Sequence, residues 1–162
     1  MTGRTPDEVR GALAAVRLVL PPVTPPLASY QPAVRTTSTI YTAGQLPMRD
    51  GMLTHNGPVG TGGLSVADGA QAAGVAGLAA IAAACAVTGE QEALRPVKVT
   101  VFVAAADGFH DLPQVADGAS AVFGAAFAEP HARSAVGVRE LPRGAAVEVE
   151  AIFAVTDPDP VP

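Results

Sequence analysis

Arg133, Glu148 and Glu150 are the residues whose types and spacing suit chemistry. Arg133 stands in His131-Ala132-Arg133-Ser134-Ala135-Val136-Gly137-Val138, ahead of an apolar extended run. The two carboxylates stand in the next such run, Val147-Glu148-Val149-Glu150-Ala151-Ile152, beyond a Leu141-Pro142-Arg143-Gly144 turn. Strand alternation sends Val147 and Val149 to one face and both glutamates to the other. A guanidinium and a carboxylate facing one small cleft can clamp a bound acid through two parallel hydrogen bonds and steer a water onto it. The competing assignment is a structural ion pair on a solvated strand face.

Other chemistries find less support. The glycine-rich stretch Asn56-Gly57-Pro58-Val59-Gly60-Thr61-Gly62-Gly63 precedes a helix, but it lacks the lysine of a nucleotide-phosphate loop and the third glycine of a dinucleotide fingerprint. It reads as a flexible loop. Cys85 lies in an apolar run with no cation nearby and reads as core filler. A lone cysteine excludes an intrachain disulfide and suits a reducing compartment. The three histidines, His55, His110 and His131, are scattered, so no metal has a ligand set. Ten basic residues against 15 acidic ones give a net charge of -5, and Lys98 is the only lysine, which disfavours nucleic acid as a partner. The charged N-terminus lacks signal-peptide order, and the apolar run from Ala72 to Val87 is short for a membrane span and rich in alanine and glycine. A cytoplasmic location without membrane contact is expected.

The elements that must position these residues follow from punctuation and period. Thr5-Pro6-Asp7-Glu8 is a capping box that starts a helix through about Leu18, striped by Val9, Ala12, Leu13 and Val16. Pro21, Pro22, Pro25 and Pro26 make an extended connector, so residues 1–26 read as an add-on to a domain at 27–155, with a disordered tail at 156–162. Strands are expected at Ala33 to Arg35 and Thr39 to Ala43, with an Asp50-Gly51 turn after them. Ser65 caps a long helix over Asp68 to Thr88, followed by a strand at Leu94 to Ala104. A helix with Leu112, Val115, Ala119, Val122, Phe123 and Phe127 on one face comes next, then strands at Ala132 to Arg139 and Ala146 to Val155. The order predicts an α+β fold, a mixed sheet covered on one face by two helices, with an extra N-terminal helix. Val99, Val101 and Val103 are expected on the uncovered face, as an apolar patch that calls for a partner.

Several segments resemble the YjgF/RidA family of reactive intermediate deaminases: Ala28-Ser29-Tyr30-Gln31-Pro32-Ala33-Val34, Tyr41-Thr42-Ala43-Gly44-Gln45-Leu46-Pro47, Lys98-Val99-Thr100-Val101-Phe102-Val103, the Ala-Arg-Ser element, the Leu-Pro turn and the Val-Glu-Val-Glu-Ala-Ile strand. Their order holds over residues 27 to 155, with His-Ala-Arg-Ser-Ala-Val-Gly marking a divergent branch. The resemblance implies a chorismate-mutase-like homotrimer with clefts between subunits. It implies that Arg133 binds a substrate carboxylate, that Glu148 positions the attacking water, and that Glu150 lies beyond the pocket. Tyr30, Ala43, Gly44, Ala135 and His131 are implied about the substrate, Ala135 through its main chain.

Three departures stand out. Ala43 replaces a hydroxyl of the active deaminases, His131 replaces proline, and Gly137 replaces a residue that is often glutamate. His131 is then either a donor or base beside Arg133, titrating near neutrality, or a solvated loop residue. The implied function is cofactor-free hydrolysis of a 2-imino acid, or its enamine, to a 2-oxo acid and ammonia. The alternatives are a non-catalytic trimer that binds small carboxylates and a pathway-specific enzyme on the same fold.

Overall fold

The computed structural model describes residues 3–23, 25 and 29–156. Eleven of its elements follow the chain as α1 (Pro6–Ala15), β1 (Ala33–Arg35), β2 (Thr39–Thr42), β3 (Met48–Arg49), β4 (Met52–Leu53), α2 (Val66–Ala86), β5 (Ala93–Ala104), α3 (Leu112–Ala126), β6 (Ala132–Val138), a 3-10 turn (Pro142–Gly144) and β7 (Val147–Thr156). The main sheet has the order β1-β2-β7-β5-β6, antiparallel throughout except for the parallel β5–β6 pair that α3 connects. β3 and β4 form a separate hairpin whose turn places Asp50 at φ 51 and Gly51 at φ 79, both left-handed as a two-residue hairpin requires. The result is the expected α+β architecture, with a mixed sheet and its helices on one face.

Local chemistry sets the helix ends. Thr5 and Ser65 each accept a hydrogen bond from the amide three residues on, and Glu8 and Asp68 reach back to the cap amides. α1 stops at Ala15, earlier than expected, because Arg17 turns left-handed at φ 60 and the amides of Arg17 and Leu18 bond the carbonyls of Ala14 and Leu13. The glycine-rich loop is a hydrogen-bonded turn rather than a flexible one: Leu64 donates to Pro58, Gly60 to Leu64 and Gly63 to Gly60.

α2 is 21 residues long and apolar enough to cross a membrane by length and composition, yet 61% of its most apolar window is buried inside the protein. Its place in the core is therefore decided by packing against β7 and α3, not by being short. Small residues set that packing: a Cβ added at Gly118 of α3 would overlap the Ala70 carbonyl of α2, and one at Gly77 would come within 2.9 Å of Val122. Phe123, Phe127 and Phe153 supply the bulk that alanine lacks, with Phe123 stacked on Phe153 at 5.8 Å.

The valines of β5 overturn one expectation. Val99, Val101 and Val103 are 0% exposed beneath the helices, and the uncovered face carries Lys98, Thr100 and Phe102 instead. Lys98 and Thr100 alternate with the valines, and neither polar side chain would find a partner under an alanine helix, so the valines go inward. The apolar groups that remain on the open face include Val34, Tyr41 and Val136. α1 packs on α3 with Val9 and Leu13 fully buried in the common core. Arg4 extends the edge of the fold by pairing its main chain with Leu94 and donating from Nη1 to the Ala126 carbonyl at 2.8 Å. Thr156, expected as the first residue of the tail, instead closes β7, and the rest of that expected tail, 157–162, lies outside the described residues.

Candidate functional site

Glu148 leaves the open face of β7 because its neighbours Val147 and Val149 are committed to the core. It lines a depression of about 310 Å³ with Tyr30, Ala43, Gly44, Leu46 and Pro142. Gly44 lets the Glu148 carboxylate lie against the backbone, since an added Cβ would push it aside. The segment that carries Ala43 and Gly44 is fastened on both sides: Ala43 donates to Pro32, Gln45 and Val149 exchange main-chain bonds, and the Thr42 hydroxyl accepts from the Ala151 amide at 2.9 Å. Burial pushes the Glu148 pKa up, and the charge of Glu150 on the same face pushes it further. Tyr30 is 44% exposed, with its ring over this depression.

Arg133 lies elsewhere. Its register partner is Val99, which faces the helices, whereas Glu148 is in register with Phe102 on the open face. Arg133 therefore turns toward α3, where Nη1 donates to Asp117 Oδ1 at 2.7 Å and Ser120 Oγ at 3.0 Å. His131 sits beside it, with Nε2 3.1 Å from the Ser120 hydroxyl and its ring 5.5 Å from that of Phe123. Burial lowers the His131 pKa and the Arg133 charge lowers it again, which keeps the ring neutral at pH 7. Arg133 and His131 line an open groove of about 480 Å³ with Ser120, Gly124, Phe127, Ala128, Glu129 and Pro130. Ala135 also faces the helices, in register with Val101, and packs against the core.

One chain thus brings Tyr30, Ala43, Gly44 and Glu148 together and places Arg133 and His131 at a second location on the opposite side of the sheet. Asp117 and Ser120, which hold the guanidinium, were not singled out from the sequence. Their one signal is the three-residue spacing that puts both on one face of α3, and only the fold brings that face to Arg133. Arg143 was noted only as part of a turn. Among the described residues no group of three or more His, Cys, Asp or Glu side chains is placed to hold a metal ion.

The family model described as Endoribonuclease L-PSP matches residues 22–155. A 2-iminobutanoate/2-iminopropanoate deaminase of Dermatophagoides farinae is 33% identical over 140 residues, covering 86% of this chain and 96% of that protein. Among solved structures, the protein Atu1372 of Agrobacterium tumefaciens, of unknown function, superposes with a TM-score of 0.81 at 32% identity, covering 93% of this chain and 94% of that one. The YjgF gene product of E. coli superposes with a TM-score of 0.57 at 26% identity, covering 83% of this chain and 93% of that one.

Proposed function

This chain belongs to the Endoribonuclease L-PSP family, which is the YjgF/RidA family, and from that premise we propose that it hydrolyses a 2-imino acid to a 2-oxo acid and ammonia without a cofactor. The site is assembled between subunits of a homotrimer, with Arg133 from one copy and Tyr30, Gly44 and Glu148 from another. The observation that carries this reading is the carboxylate of Glu148, half-buried against Gly44, where an added Cβ would displace it, and with a raised pKa. A half-buried carboxylate whose pKa is raised is a better proton acceptor than an exposed glutamate, which suits it to take a proton from water. The separation of Arg133 from Glu148 on opposite faces supports a site that one chain cannot close alone.

The chemistry needs positioning more than reactive groups. Nη1 of Arg133 is engaged by Asp117 and Ser120, so the guanidinium is fixed in place while Nε and Nη2 stay available for a substrate carboxylate. Glu148 takes a proton from water as the water oxygen bonds to the imine carbon, and the C=N electrons move to nitrogen. The same carboxylic acid returns that proton to nitrogen to give a carbinolamine, then takes the hydroxyl proton and passes it to the amine nitrogen as the C–N bond breaks, so the carbonyl forms and ammonia leaves.

Ammonia release from freshly generated 2-iminopropanoate tests the proposal, with acceleration expected for the native protein and its loss in Glu148→Gln. Ala43 supports a second reading, a trimer that binds carboxylates without turnover, because the depression lacks the hydroxyl of the active relatives. Ala43→Ser discriminates: a several-fold gain, worth about 1 kcal/mol for one added hydrogen bond, favours a weak enzyme. Pyruvate binding by calorimetry without acceleration in any of the three proteins selects the binding protein.

A further inference from the structure

A second cavity adjoins the Glu148 depression and shares Tyr30, Gly44 and Leu46 with it. Its other walls include Pro21 and Pro25 of the connector, Met48 and Arg143, and among the described residues no acidic one lines it. At about 60 Å³ it is narrow, with room for about four to six water-sized groups at ~10–15 Å³ each. The walls are apolar apart from Gln45, whose amide already donates to the Ala43 carbonyl, and the Arg143 guanidinium.

Five of the nine arginines lie against carboxylates, and Arg4 donates to main-chain carbonyls. Arg17, Arg49 and Arg143 have no carboxylate within salt-bridge distance among the described residues, and of these three Arg143 is the one that lines this cavity. Among the described residues the Arg143 head group has one hydrogen-bond partner, Met48 Sδ, at 3.9 Å. Its backbone is left-handed at φ 60 inside the 3-10 turn, and it is held there: Asn56 donates to the Arg143 carbonyl at 3.2 Å, and Gly57 bonds the Gly144 carbonyl. A non-glycine residue fixed in that conformation, with an unpaired cation at the mouth of an acid-free cavity, is arranged to meet an anion.

We infer that this cavity receives an aliphatic, acid-ended side chain of the substrate, so that the preferred substrate class is the 2-imino diacid with a two-carbon spacer. A CH2-CH2-carboxylate tail has five heavy atoms, which matches the space, and it places its methylenes on proline, leucine and methionine and its charge on Arg143. The inference rests on the site proposed above, in which Arg133 takes the carboxylate next to the imine. Arg143 acts on specificity and touches none of the reacting atoms.

Calorimetry with two product acids, 2-oxoglutarate and 2-oxobutyrate, reads this directly, beside turnover of the corresponding imines. The native protein is expected to bind 2-oxoglutarate at least tenfold more tightly than 2-oxobutyrate. Arg143→Asn, chosen because asparagine tolerates left-handed backbone, should reduce that ratio to within about threefold and leave 2-oxobutyrate affinity unchanged, while Arg143→Lys keeps part of it. An equal loss for both acids, or an unchanged ratio, overturns the inference. So does a native protein that hydrolyses both imines without preference, and in that case the deaminase reading survives. Selective 2-oxoglutarate binding without turnover keeps the inference and removes the deaminase. Absence of binding for both acids removes both.

Discussion

Glu148 owes its raised pKa to two separable causes, burial and the neighbouring Glu150. A carboxylate that must be ionised to take a proton from water loses activity as pH falls through its pKa, so the acid limb of kcat/KM should lie above the ordinary glutamate value of 4.5. Removing the second charge with Glu150→Gln lowers the Glu148 pKa and should move that limb toward lower pH. Identical pH-rate profiles would show that the two side chains do not interact in the working site. Gly44→Ala forces the carboxylate aside and should cost more than tenfold in kcat with the melting temperature nearly unchanged, which rate and thermal-melting measurements on one sample would check. His131 is legible from the same physics. Its folded pKa is depressed, so the unfolded chain binds the proton more readily and stability falls as pH drops below the ordinary histidine value of 6.5. His131→Asn should flatten that slope. The sequence brought out Arg133, Glu148 and Tyr30 through local pattern and family resemblance. It did not bring out Asp117, Ser120 or the sharing of a wall by Gly44 and Glu148, because these depend on which side chains meet across elements far apart in the chain.

At the scale of elements, α1 is where spacing along the chain and position in space part company. The proline connector sets it apart in sequence, yet Val9 and Leu13 are 0% exposed and Arg4 tethers both β5 and the end of α3. Leu13→Ala should destabilise by about 2 to 5 kcal/mol, the range for emptying a buried leucine site, as read from a denaturant midpoint. A shift within error would mean that α1 only rests on the surface. The close α2–α3 approach makes Gly118→Ala the companion test, with a loss of about 1 to 3 kcal/mol expected for overpacking. The caps Thr5 and Ser65, the Asp50-Gly51 turn and the strands of the main sheet were legible to within a residue or two, because caps and turn residues act within a few positions; the short β3 and β4 strands beside that turn were not. The side of β5 that the helices would cover was less so: alternation fixes which residues share a face, and deciding which face is buried requires asking where Lys98 could go.

For the whole molecule, the open sheet face decides the state of assembly. Val34, Tyr41 and Val136 remain 55%, 48% and 40% exposed on it, around Phe102 and Ile152, with Lys98 held to Ser134 at 2.7 Å. An apolar surface of this kind with polar groups among it fits an interface between copies. Light scattering should report three chains per particle, and Tyr41→Glu should give smaller species that lose imine turnover together with assembly. A native protein of one chain per particle would end the intersubunit site. The order of the strands also bears on how the protein is made. β7 lies between β2 and β5, so the middle of the sheet comes from the last of its own strands in chain order, and Tyr41 waits for Ile152, 111 residues later (152 − 41). A chain still emerging from the ribosome holds an apolar helix pair and an unpaired hairpin with no central strand to join them, and such long-range closure is slow and exposed to aggregation. Expression yield should therefore depend on chaperone supply and on the rate of translation through the final strand more than on the stability of the finished fold.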